Sequence, residues 1–147
     1  MARRLSRRSK DLVCMRQLAT CVYCGCDLCD AFEVDHVNER RTDDREENLV
    51  ATCAQCHAIK SRHVRLGRDW STMSSSIVQN RQKARDRWYG GADYDALPRW
   101  LRARVSYTDA RLYSLLLRPS LGGPLDLEQY RYRPAHPPHP HSGSRHV

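Results

Sequence analysis

The spacing of apolar residues changes along the chain, and the elements it predicts change with it. Leu12, Val13, Met15 and Leu18 recur at helical spacing, with Asp11 placed to cap a short helix and Arg16 on its flank. Residues 31 to 37, Ala-Phe-Glu-Val-Asp-His-Val, alternate instead. That predicts a strand with Phe32, Val34 and His36 on one side and Glu33 and Asp35 on the other. After a charged loop from Asn38 to Glu47, the short apolar run Leu49 to Thr52 predicts the second strand of a hairpin. Helical spacing returns from about Ala54 through Lys60 to His63, with Thr52 as its cap. The central order is strand, loop, strand, helix.

Beyond Gly67 the pattern is helical. Ser71 to Tyr89 has helix-forming character, strongest over the basic Ile77 to Trp88, and is ended by Gly90-Gly91. Asp95-Ala-Leu-Pro-Arg-Trp-Leu reads as a capped helix start, and Thr108 to Leu117 as a further helix closed by Pro119 and Gly122-Gly123. Trp88, Trp100, Leu101, Leu112, Leu115 and Leu116 at helical spacing predict packing rather than a binding platform. Residues 134–147 are Pro- and His-rich, with Ser and Gly, and read as a disordered tail that includes His136, His139 and His141. The expected layout is a basic arm at 1–12, a central domain at 13–66, a basic helical extension at 67–133 and the tail at 134–147.

Composition changes this picture in two ways. With 147 residues, 40 % of them hydrophobic and only one Phe, the apolar core is thin, so metal is expected to help hold it. The 25 Lys and Arg outnumber the 17 Asp and Glu for a net charge of +8, and nearly all the bases are Arg, whose planar fork suits phosphate. Nucleic acid is the partner this implies. Five bases precede the first acidic residue, Asp11, and Arg3, Arg4, Arg7, Arg8 and Lys10 are expected to lie along a phosphate backbone, with Arg81, Lys83, Arg85 and Arg87 as further grips. An Arg- and Ser-rich start is also the composition of a transit peptide. The arm is favoured because the rest of the chain is basic too.

Seven cysteines, with no apolar run long enough for a secretory signal or a membrane span, predict a reducing, cytoplasmic setting in which thiols bind metal. Two Cys-x-x-Cys pairs, Cys21/Cys24 and Cys53/Cys56, are separated by 28 residues and supply the thiolates of a tetrahedral structural Zn2+ site. Cys26 and Cys29 form a competing pair. Cys21 and Cys24 are preferred because Gly25 follows them directly and lets the backbone turn. Cys26 and Cys29 then read as bystanders, and Cys14 as a buried thiol.

Asp35-His36, Asn48 and His57 are more than a plain zinc module requires. Phosphodiester cleavage needs a base for water and a cation for the charge that grows on phosphate and leaving oxygen. An Asp beside a His on a strand, with a second His on the facing helix, can provide both: His36 as base, Asp35 and His57 for one divalent ion. Asn48 can tie the loop to the first strand and keep His36 aimed.

Cys21-x-x-Cys24-Gly25, Asp35-His36, Asn48-Leu49 and Cys53-x-x-Cys56-His57 resemble, in order and spacing, the HNH endonucleases of the ββα-metal superfamily in their zinc-binding form. The resemblance covers about residues 20 to 63. It implies an α+β fold, a small zinc-stapled ββα-metal core flanked by helical extensions. It also implies metal-dependent DNA cleavage leaving a 5′-phosphate, with His36 as general base, Asp35 and His57 as ligands of Mg2+, Mn2+ or another divalent ion, and Asn48 as the loop-fixing residue. Small free-standing members often belong to bacteriophages or mobile elements, which makes a protein of such an element a candidate partner. The loop departs from the family: many members carry Pro and Gly after the Asp-His pair, where this chain has Asn38-Glu-Arg-Arg-Thr-Asp-Asp-Arg-Glu-Glu47. His63, six residues past His57, lies off the metal face of the helix. Cys53-Ala-Gln-Cys56-His57 also spells a c-type haem attachment, but that reading leaves Cys21, Cys24 and Asp35-His36 unused. The rival of a different class is a non-catalytic zinc-dependent DNA-binding module, indifferent to His36→Ala.

Overall fold

The computed structural model describes residues 5–117. Arg3, Arg4, the expected closing residues Pro119, Gly122 and Gly123, and the tail with His136, His139 and His141 lie outside them. Helix α1 spans Arg7–Arg16. Its cap is Ser6, whose side chain accepts from the Ser9 amide at 3.1 Å. This corrects the expected cap, Asp11, which lies inside the helix and is buried, with Arg7 and Arg104 each 3.6 Å from its Oδ1. A hydroxyl one turn earlier won the cap because it leaves Asp11 to meet two guanidinium groups. The chain turns out of α1 through Leu18 and Ala19, both left-handed at φ 54° and 56°.

Strands β1 (Glu33–His36) and β2 (Leu49–Thr52) pair antiparallel, Glu33 opposite Thr52 and His36 opposite Leu49. All of β2 is buried, and its other edge is closed by a side chain. Gln17 donates from Nε2 to the Ala51 carbonyl at 2.9 Å and accepts from the Ala51 amide at 2.7 Å, so its primary amide stands in for a third strand. Helix α2 (Ala54–Arg65) follows directly. Cys53, not Thr52, caps it, with Sγ accepting from the Cys56 amide at 3.4 Å.

Helix α3 (Ser71–Tyr89) ends at Gly90 as expected. A 3₁₀ turn at Tyr94–Ala96, α4 (Arg99–Arg102) and α5 (Tyr107–Leu117) complete the described chain. Trp88 is fully buried, stacks edge-on against Tyr113 at 5.4 Å, and donates its indole N–H to the Arg16 carbonyl. Ile77, Trp88, Leu97, Leu101, Val105 and Ala110 share one core with α1, the cysteine turn and the hairpin. Leu112, Leu115 and Leu116, expected to pack, are 53, 50 and 60 % exposed. The inward arc of α5 runs instead through Ala110 and Tyr113, and the three leucines lie off it. The fold is α+β, as expected, and no described helix is long and apolar enough to cross a membrane.

Candidate active site and metal centre

The turn after α1 and the start of α2 bring Cys21, Cys24, Cys53 and Cys56 together, their Sγ atoms all within 4.8 Å of one another. Four thiolates on bonds of about 2.3 Å around one zinc stand about 3.8 Å apart, so the cluster suits tetrahedral Zn2+. Cys24 and Cys53 are already at 4.0 Å. Gly25 takes φ 76°, the conformation its place after the first pair required, and its amide bonds the Cys21 carbonyl at 2.9 Å. The Cys53 amide donates to Cys21 Sγ at 3.4 Å. Burial, first, and then the neighbouring sulfurs push the Cys56 thiol well above its ordinary value. Such crowding is relieved when a cation takes the charge. Cys26 and Cys29 are exposed and not among the four, although Cys26 lies beside Cys24, whose sulfur, ahead of burial, pushes the Cys26 thiol up to about 12; Cys14 is buried with its pKa pushed up to about 12, chiefly by burial.

Because Glu33 and Asp35 are two apart on β1, both point at α2, where His57 sits one residue past the last zinc-type cysteine. His57 Nδ1 is 2.8 Å from Glu33 Oε1, and its Nε2 is 3.5 Å from Asp35 Oδ1. The two carboxylates, Asp35 first, hold the imidazole pKa up at about 9 against partial burial. Asp35 is 3 % exposed. Burial alone would raise its pKa, but bonds from His57, Lys60 and Tyr23 outweigh that and keep it below the usual carboxylate value.

Tyr23, inside the first Cys-x-x-Cys, donates its hydroxyl to Asp35 Oδ2 at 2.8 Å. Lys60 is completely buried, with Nζ 3.0 Å from Asp35 Oδ2 and 2.8 Å from Glu39 Oε1, and 3.0 Å from each of the His36 and Val37 carbonyls. Nothing in the sequence pattern marks Tyr23, Glu33 or Lys60 as site residues. The available signal for Lys60 was its i+3 spacing from His57, which puts both on one face of α2.

Asn48, expected to tie the loop to the first strand, is buried. Its Oδ1 accepts from the Asn38 amide at 3.0 Å, and its Nδ2 donates to Asn38 Oδ1 at 3.0 Å and to the Asp43 carbonyl at 2.8 Å. His36 lies on the opposite side of β1 from Asp35, 2.8 Å from Asp44. His63 bonds the Asp69 carbonyl at 3.1 Å, away from this group. Of the expected phosphate grips, Arg8 is tied to Asp109 at 2.8 Å, Arg7 lies 3.6 Å from Asp11, and Lys10 is half-buried. Arg81 reaches the Glu46 and Leu49 carbonyls and Arg85 is buried, whereas Lys83 and Arg87 are exposed.

Residues 21–63 match the family model described as HNH endonuclease. The matched segment takes in the four cysteines, β1, β2 and most of α2, and the cysteine cluster is consistent with the zinc-binding form of that family. No curated protein and no solved structure matched the chain.

Proposed function

We propose that this protein is a metal-dependent endonuclease that hydrolyses DNA phosphodiester bonds. The observation that carries the reading is the meeting of Asp35 Oδ1, on the strand that also bears His36, with His57 Nε2 on α2, 3.5 Å apart. Two donors on bonds of about 2.1 Å to one divalent ion can stand that far apart. A bound Mg2+ or Mn2+ would neutralise charge on the phosphate and the departing oxygen. His36 takes a proton from water as the oxygen attacks phosphorus; the bond to O3′ breaks, the departing oxygen takes a proton from solvent water, and a 3′-hydroxyl and a 5′-phosphate are left. Asn48 keeps the loop and β1 in register while this happens. The exposed Arg62, Arg65 and Arg68, lining a concavity on the outer face of α2, support phosphate contact, as do the exposed Lys83 and Arg87, and the N-terminal bases Arg3, Arg4, Arg7, Arg8 and Lys10 add to the basic charge available for it.

The test is conversion of supercoiled plasmid to nicked and linear forms by wild type and His36→Ala, with magnesium, manganese or chelator. Cleavage should need metal and fall about 10²- to 10⁴-fold in the variant. One observation favours the non-catalytic zinc-dependent DNA-binding module: Asp35 already holds Tyr23 and Lys60. No cleavage by a folded, zinc-loaded, DNA-binding wild type would select it.

Divalent-ion binding should also depend on pH. Below about 9 His57 holds a proton that a metal must displace. Without DNA, manganese affinity is expected to rise by up to about tenfold per pH unit between roughly pH 6.5 and 8.5. Calorimetric titration reads this directly, and a wild-type affinity flat over that range would remove His57 from the ligand set.

A further inference from the structure

The acidic loop that departs from the family pattern is held rigid by its own side chains. Asp43 accepts from Asn38 Nδ2 at 2.7 Å and from Arg45 Nε and Nη2 at 2.8 and 2.9 Å, and its carbonyl accepts from Asn48. Asp43 is thereby fixed from three sides, and the next residue is aimed. Asp44 Oδ1 lies 2.8 Å from His36 Nε2, with the His36 side chain 15 % and the Asp44 side chain 26 % exposed. Among the described residues no partner reaches His36 Nδ1.

We propose that Asp44 is a positioning residue for His36, its carboxylate accepting from Nε2–H so that the bare Nδ1 is the nitrogen presented to water. A histidine tautomer is set by the bond its other nitrogen makes, and a partly exposed imidazole without such a bond samples both tautomers and several ring orientations. The carboxylate fixes one of each. Asn48, through Asp43, thus acts on His36 by way of Asp44 as well as through β1. This assignment rests on the endonuclease reading, but its test does not depend on it alone.

The experiment compares wild type, Asp44→Ala and Asp44→Glu in zinc-loaded full-length protein. Two-bond proton–nitrogen spectra recorded across a pH series, and read at its alkaline end, report the His36 tautomer. Wild type should show Nε2–H, and Asp44→Ala a mixture. In single-turnover cleavage of a bound duplex, Asp44→Ala should slow the reaction about 10- to 100-fold, a part of what a general base supplies. DNA affinity should be unchanged, and Asp44→Glu should recover part of the rate. An unchanged tautomer in Asp44→Ala, or an unchanged or faster rate, overturns the proposal, the faster rate marking Asp44 as a blocking group. If wild type cleaves nothing, the endonuclease reading fails, and the catalytic role given to Asp44 fails with it. The tautomer then separately reports whether the contact exists.

Discussion

Cys53→Ser is expected to give a protein that does not hold zinc and does not fold. Two strands of four residues are too little sheet to persist alone. The cluster joins the turn at Cys21 and Cys24 to the junction of β2 and α2. Cys53 has two structural roles, since its sulfur also caps α2. Structural zinc contributes on the order of 10 kcal/mol to folding in small modules, against a total stability of about 5–15 kcal/mol for a domain. Serine at this position offers a poor ligand, and the three remaining thiols would bind the ion far more weakly. Zinc stoichiometry, circular dichroism and gel filtration check this. A Cys53→Ser protein that is folded and holds one equivalent of zinc would overturn the assignment. Cys26→Ser, beside Cys24 but not one of the four, should retain fold and metal.

The cysteine cluster, the hairpin and α2 were legible because each is written locally. Paired cysteines three positions apart can only meet a common ion at close range, and β-alternation changes to helical spacing at the second pair. The bonds of Asn48 to Asn38 and Asp43 follow from a similar local cause, its place as the last residue before a strand whose partner it must reach. What escaped are contacts between residues far apart whose types suggest other roles. Gln17 and Ala51 are 34 residues apart, and a glutamine at the end of a helix gives no sign that it will close a sheet edge. Lys60, set in α2 between Ile59 and Ser61, has the composition of a solvent-facing position, yet Ile59 is 41 % exposed and Lys60 is not exposed at all. Helical periodicity fixes relative angle, not which arc faces inward; the same ambiguity hid the exposure of Leu112, Leu115 and Leu116.

Lys60→Met should be the most damaging change outside the cysteines. Methionine fills much of the same volume but supplies no proton to Asp35, to Glu39 or to the His36 and Val37 carbonyls. Breaking a buried ion pair by removing one partner costs about 3–5 kcal/mol, because the other charge stays buried and unmatched. The loss should be read as a shift in urea midpoint at fixed zinc and without added magnesium, against Lys83→Met, an exposed control expected within about 0.5 kcal/mol of wild type. Its pH dependence identifies the cause. In wild type the folded-state pKa of Asp35 is depressed, so its contribution is present above the ordinary carboxylate value and lost as pH falls through the depressed one. Without the Lys60 ammonium, the burial that opposes that depression gains weight, the Asp35 pKa rises, and folding begins to favour proton uptake there. The stability difference between wild type and Lys60→Met should therefore shrink from pH 7.5 toward about pH 5, as the stranded carboxylate takes a proton. A deficit below about 1 kcal/mol would mean that the Lys60 ammonium adds little to stability, its contact with the Trp70 ring included. A large deficit that ignored pH would place the cost on the two carbonyls and not on Asp35.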